Sequence, residues 1–277
     1  MGQKKPFDLS DNTVLITGAA GLLGSEHVEA VLAINARVIA TDISGPALKK
    51  LASRFSEAVE RGQLLFERLD VSDEKAVAEC VRKLKQKSIF VDVLVNNAAV
   101  DAKVKPGKIS TDSKRLETFD LHQWTHELNV SLTGAFLCCK HFGLEMADRN
   151  YGNIVNVCSD LSVIAPNQSL YKLDGLEAHQ QPVKPVTYSV IKAGLHGLTR
   201  YMSTYWAANG VRCNSLSPGA VQSGQGEQFV KRIEQLIPLQ RMAQPNEYQA
   251  ALQFLCSEAS SYLNGHNLIM DGGRTVL

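Results

Sequence analysis

No stretch of this 277-residue chain is apolar for long enough to span a bilayer, and its opening, Met-Gly-Gln-Lys-Lys-Pro-Phe, lacks the apolar core of a secretory signal. Pro6 stands where an N-myristoylated chain needs Ser or Thr, so Gly2 is not expected to be a myristoylation site. Charge of one sign is missing as well. Lys+Arg 29 against Asp+Glu 28 leaves +1, which gives no electrostatic footprint for nucleic acid or a membrane surface. The six cysteines (Cys80, Cys138, Cys139, Cys158, Cys213, Cys256) make no CxxC pair and no zinc spacing, and most lie in apolar runs. They read as reduced, mainly buried thiols of a cytoplasmic protein rather than a disulfide framework. His122 and His126 are four apart but have no third ligand in spacing, so no metal site is expected. Repeats, low-complexity tracts and interior linkers are absent too. With 44% hydrophobic residues, the chain is expected to fold as one domain over residues 1–277.

What is present is an alternation of short apolar runs with amphipathic stretches. Thr13 to Thr17, Arg37 to Asp42, Leu64 to Leu69, Val93 to Val95, Gly152 to Ser159, Val211 to Leu216 and Asn267 to Met270 read as buried strands. Helices are expected from the glycine turn to about Ile34, and over about Pro46 to Glu60, Asp73 to Lys87, Leu121 to Arg149, Thr187 to Ala208 and Asn246 to Ser257. That order predicts an α/β fold: a Rossmann-type, doubly wound parallel sheet of about seven strands with helices on both faces. Ligands of such sheets bind beyond the strand carboxyl ends, where Thr17, Asp42, Asp70 and Asn96 fall.

Gly18-Ala19-Ala20-Gly21-Leu22-Leu23-Gly24 follows the first strand and opens the first helix. Glycines there let the backbone approach a pyrophosphate, and the helix N-terminus offers free N–H groups to it. Asp42 lies 18 residues beyond Gly24, at the tip of the second strand. An acid there accepts hydrogen bonds from a ribose 2′-hydroxyl and repels a 2′-phosphate, which favours NAD over NADP. Asp42 could instead cap the helix beginning near Pro46.

Tyr188 and Lys192 are four apart on a helix and share a face. A free tyrosine, with a pKa of ~10, is a poor base at neutral pH. A neighbouring ammonium favours the phenolate, and such a tyrosine can exchange a proton with a substrate oxygen. Asn129, among apolar neighbours, is expected to be buried as a structural peg or as part of a site network. The polar stretch from Val100 to Asp120 carries Lys103, Lys105, Lys108, Lys114 and Arg115, and rims the substrate cleft or is a solvated loop. Residues from about Ser223 to Pro238 read as a mobile lid with a short helix.

In this order, Thr17-Gly18 with Gly21 and Gly24, Asp70, Asn96-Asn97-Ala98, Asn129, Ser159, Tyr188-x-x-x-Lys192, Asn214, Pro218-Gly219 and Asp271-Gly272-Gly273 resemble the short-chain dehydrogenase/reductase family over residues 9–273. The resemblance implies an NAD(H)-dependent oxidoreductase interconverting a secondary alcohol and a ketone, with Tyr188 as general acid/base. By the same resemblance Lys192 tunes Tyr188 and binds the nicotinamide ribose, Ser159 hydrogen-bonds the reacting oxygen, and Asn129 holds a water linked to Lys192. The implied cofactor contacts are Thr17, Gly18, Gly21, Leu22, Leu23, Gly24, Asp42, Asp70, Val71, Asn97, Ala98, Tyr188, Lys192, Pro218, Gly219, Val221 and Ser223. Family members are commonly dimers or tetramers paired through the long helices.

The TGxxGxxG spacing is similar to an extended branch containing epimerases and dehydratases of nucleotide sugars, which keep their NAD bound. The short part after Pro218 and the Asn-Asn-Ala turn resemble the single-domain oxidoreductases instead. An NAD(H)-sensing protein without turnover is a further alternative, which the complete set Asn129, Ser159, Tyr188 and Lys192 opposes. Ser159 and Tyr188 are 29 residues apart, farther than is usual in the family. The insertion, 161–186, therefore lies beside the substrate, with Tyr171, Lys172, Asp174, Glu177 and His179 as candidate contacts. This insertion, the Gly18–Gly24 turn and the Tyr188-Ser189-Val190-Ile191-Lys192 helix together resemble a subgroup found with bacterial surface-sugar and flagellin-modification enzymes. That implies a polar small-molecule substrate, sugar or sugar phosphate in type.

Overall fold

Side chains alternate between the two faces of a strand, and in this chain both faces are apolar. The computed structural model describes residues 5–100 and 115–277. Val14 and Ile16 of β1 (Thr13–Thr17) enter one core, and Leu15 enters the other. The same holds for Val38 and Ala40 against Ile39 in β2 (Arg37–Asp42). With β3 (Leu64–Arg68), β4 (Val93–Asn96), β5 (Gly152–Val157), β6 (Val211–Pro218) and β7 (Asn267–Met270), they form one seven-stranded sheet in the order β3-β2-β1-β4-β5-β6-β7. Every pairing in it is parallel.

On one face pack α1 (Leu22–Leu32), α2 (Gly45–Arg54), α3 (Ser56–Glu60) and α9 (Gln249–Cys256), with Val28, Val31, Leu51, Leu252 and Leu255 in the core. On the other pack α4 (Glu74–Gln86), α6 (Gly134–Asp148) and α7 (Val186–Tyr205), through Val77, Leu84, Phe142, Met146 and Met202. The doubly wound α/β fold implied by the sequence is thus the fold observed. The chain builds β1 to β3 in one direction, returns after β3 to lay β4 beside β1, and continues the other way; the crevice for a ligand lies at that switch between β1 and β4. No helix among the described residues is long and apolar enough to cross a membrane.

Several boundaries differ from the sequence reading. The helix expected over Pro46 to Glu60 breaks at Phe55, whose φ of −119° and ψ of 38° are not helical and whose ring packs on the core. The long helix after Leu121 is α5 (Leu121–Leu128), one π-helical stretch over Asn129–Thr133, and α6. The last helix starts as a 3-10 turn, Pro245–Tyr248, closed by a capping box of Gln244 and Glu247. The insertion builds 3-10 turns at Gln168–Tyr171 and Ala178–Gln180 and packs on α8 (Glu227–Glu234), where Leu170 joins Ile233, Ile237 and Met242.

Candidate active site

A cavity of about 530 Å³ opens along the carboxyl ends of the strands. At one end stand Gly18, Gly21, Leu22, Leu23, Gly24 and Asp42; at the other stand Ser159, Tyr188 and Lys192. Asn97, Pro218, Gly219, Val221 and Ser223 line the space between.

The glycine end is shaped by close backbone approach. A Cβ on Gly24 would lie 2.2 Å from the Gly18 carbonyl oxygen, so α1 can start this close to β1 only with glycine there. Gly21 is the N-cap of α1 and brings no side-chain cap, and the first turn holds no acid. The free N–H groups and positive end of α1 therefore face the cavity uncompensated, as a pyrophosphate requires. Asp42 accepts hydrogen bonds from Ala20 N at 3.2 Å and Ser44 N at 2.9 Å, locking the β2 tip to the glycine turn. The cap of α2 is Ser44, not Asp42. Thr17 and Asn97 stitch β1 to β4. Thr17 Oγ1 accepts from Asn97 N and Ala98 N, both at 3.0 Å, and Asn97 Nδ2 donates to Thr17 O and Gly18 O at 3.0 Å each. Asp70 and Val71 follow β3 away from the cavity lining; Asp70 accepts from Ser72 N at 2.9 Å and Ser72 Oγ at 2.6 Å. Thr17 and Ala98 likewise shape the wall from behind.

At the other end, α7 carries Tyr188 one turn before Lys192. Lys192 is buried and its Nζ donates to Val157 O at 2.8 Å, which fixes the ammonium at the end of β5. That Nζ lies 5.8 Å from the Tyr188 ring centroid. The sequence places Ser159 at the carboxyl end of the fifth strand. It lies just past β5 and caps the 3-10 turn Asp160–Ser162, with its Oγ accepting from Leu161 N at 3.2 Å. Burial pushes the neighbouring Cys158 thiol up to about 11, so it stays protonated. Gln225 braces the mouth, donating to Val221 O at 2.8 Å and Ser223 Oγ at 3.0 Å.

Asn129 is the main correction. It is exposed and absent from the cavity lining, whereas Ser131 of the same π-helical stretch is buried and accepts from Val100 N at 3.0 Å. Residues two apart on a helix point to opposite sides, so the inward position is Ser131 and the outward one Asn129. Of the insertion candidates, only Tyr171 lines the cavity. Lys172 O accepts from Arg232, Asp174 accepts from Gln228 Nε2 at 3.1 Å, and both tie the insertion to α8; Glu177 and His179 face solvent. The segment read as a lid is in part this packed α8. Arg115 donates to Ala178 O at 3.0 Å, while Lys103, Lys105, Lys108 and Lys114 lie outside the described residues.

Three charged residues that the motifs did not mark also line the cavity: Asp160, Lys184 and Arg274. The Lys184 Nζ sits 3.6 Å from the Tyr188 ring centroid, on the ring face. Its spacing, four before Tyr188 as Lys192 is four after, was the available signal.

The sequence model of the family described as "Enoyl-(Acyl carrier protein) reductase" matches residues 18–275. The D-threitol dehydrogenase of Mycolicibacterium smegmatis is 30% identical over 98% of this chain and 95% of its own length. A gluconate 5-dehydrogenase from Burkholderia cenocepacia, solved in complex with NADP and tartrate, superposes with a TM-score of 0.83 at 25% identity and 98% coverage of both chains. A short chain dehydrogenase from Leptospira borgpetersenii with bound NAD+ gives 0.82 at 28% identity, covering 99% of this chain and 97% of the other.

Proposed function

Since the chain belongs to the short-chain dehydrogenase/reductase family, we propose that it interconverts a secondary alcohol and a ketone on a polyol- or sugar-like substrate, with a nicotinamide dinucleotide as hydride partner. The observation that carries this reading is the single cavity joining the glycine turn of α1 to Tyr188, Lys192 and Ser159. When bound, the dinucleotide supplies the hydride acceptor or donor.

The remaining work falls to side chains. The α1 N-terminus holds the pyrophosphate, and Asp42 takes the adenosine ribose, which favours NAD over NADP. In the oxidation direction Tyr188 removes the proton of the substrate hydroxyl, and Ser159 hydrogen-bonds that oxygen as its charge develops. Lys192, anchored on Val157 O, keeps positive charge beside Tyr188. Lys184 adds a second cation on the ring face and favours a substrate rich in oxygen acceptors. The water-holding role expected of Asn129 finds no support in its exposed position, and Ser131 is the polar group facing inward there.

In this reading residues 1–277 work as one unit, and the six buried free thiols suit a cytoplasmic setting. Exposed Phe136 and Leu144 on α6, with Val190, Tyr201 and Tyr205 on α7, support pairing of copies through the long helices. Light scattering that returned a monomer mass would remove that part. The function is tested by titrating NADH against NADPH, then following the NADH absorbance with alditols, aldonates and sugar phosphates. Turnover of one class is the expected result. Tight NADH binding with no turnover of any class would overturn it.

A further inference from the structure

Next to Ser159 in the chain stands an acid that no motif predicts. Asp160 is buried, and its Oδ1 accepts from Ser159 Oγ and from Leu161 N, each at 2.8 Å. Its Oδ2 accepts from Arg274 Nη1 at 2.7 Å. The side chains are 4% and 9% exposed, so both charges of the pair are inside the protein.

Arg274 comes from 114 residues away, in the short 3-10 turn Arg274–Val276 after β7. Asp271-Gly272-Gly273 returns that turn over the site. Gly219 N donates to Met270 O at 2.8 Å, and the Asp271 carboxylate accepts from Gly273 N at 2.9 Å and Thr275 N at 2.6 Å. Gly272 and Gly273 have φ of +68° and +92°, which side-chain-bearing residues rarely adopt.

A hydroxyl has one proton, and that of Ser159 is directed at Asp160. To donate to a substrate oxygen, the hydroxyl must turn away from the carboxylate. A bare buried carboxylate would hold that proton in a charge-assisted bond, roughly twice as strong as a neutral one. Arg274 counters this by neutralising Asp160, and Leu161 N still satisfies Oδ1 once the hydroxyl has turned. We propose that Arg274 is a positioning residue of the reaction: through Asp160, it sets where the Ser159 proton points and how readily it is released to the substrate oxygen. The proposal rests on the reading of Ser159 as the group that meets that oxygen.

The test is a double-mutant cycle in the full chain, with the best substrate of the panel and with NADH affinity measured alongside. Ser159→Ala is expected to lower kcat about 10²- to 10³-fold, as loss of an oxyanion donor does. Arg274→Met is expected to lower kcat about 10- to 100-fold with NADH affinity within about twofold, and Arg274→Lys to recover most of it. The double variant is expected to be within about threefold of Ser159→Ala alone, because Arg274 then has nothing left to position. Multiplicative losses would overturn the proposal, as would a loss confined to KM that persists in the Ser159→Ala background, which marks direct substrate binding. An unchanged Ser159→Ala enzyme would instead overturn the reading of Ser159. Should Arg274→Met not fold, Arg274→Gln with Asp160→Asn replaces the ion pair by neutral amides. Recovery of kcat relative to Arg274→Gln alone supports the proposal, and no recovery overturns it.

Discussion

Tyr188 stands between two lysines, one held at the end of β5 and one over its ring face, and in the proposed function its own hydroxyl carries the proton. Tyr188→Phe keeps the ring and its packing and removes that group. It is expected to lower kcat about 10²- to 10⁴-fold while NADH affinity, measured by fluorescence quenching, changes little. A Phe variant of full activity would exclude tyrosine as the acid/base. Asp42 serves both the glycine turn and, in the proposed function, the ribose. Asp42→Ala is therefore expected to weaken NADH binding and narrow its advantage over NADPH at least tenfold, read from the two dissociation constants. An unchanged ratio would reduce Asp42 to a structural bond to Ala20 and Ser44.

At the scale of elements, the insertion is a buttress. Leu170 is 4% exposed and packs with Ile233, Ile237 and Met242, so the insertion and α8 cover one side of the cavity together. Leu170→Ala is expected to cost about 2–5 kcal/mol locally. It should loosen α8, seen as faster proteolytic cleavage between 223 and 238 and a raised substrate KM. Wild-type cleavage kinetics would show that α8 stands without the insertion. How much could be read beforehand follows from range. The strands, the glycine turn and the Tyr188–Lys192 pair depend on neighbours within one turn or one strand, and they stand where the sequence put them to within two residues at the strand ends. Asn129 did not, because the π-helical stretch and the true facing of Ser131 are set by packing against α7 and the turn after β4. The Asp160–Arg274 pair joins residues far apart in the chain, and nothing local marks either of them.

For the molecule as a whole, the buried groups that no bond satisfies shape its response to acid. His27 on α1 is fully buried, both ring nitrogens lack a partner among the described residues, and burial pulls its pKa from 6.5 down to about 4. The unfolded chain therefore binds a proton between those values that the folded chain refuses. Stability from this group is complete above about pH 6.5, and falls with pH down to about 4, by about 3 kcal/mol in all. Urea unfolding at pH 7 and pH 4.5 should show most of that loss in the natural chain, and much less of it in His27→Leu. Equal losses in both would place the acid sensitivity elsewhere.

The turn that brings Arg274 back onto Asp160 also has a meaning in time. A ribosome releases the glycine turn of α1 well ahead of the Asp271-Gly272-Gly273 turn. Strands β1 to β6 leave it ahead of β7 and the residues behind β7. With Arg274 in its proposed role, Asp160 waits for a counter-ion 114 residues further on, and the nascent chain stays impaired until that turn has emerged. A product truncated before Arg274 is expected to bind NADH and turn over poorly, so the arrangement ties activity to translation having passed that turn.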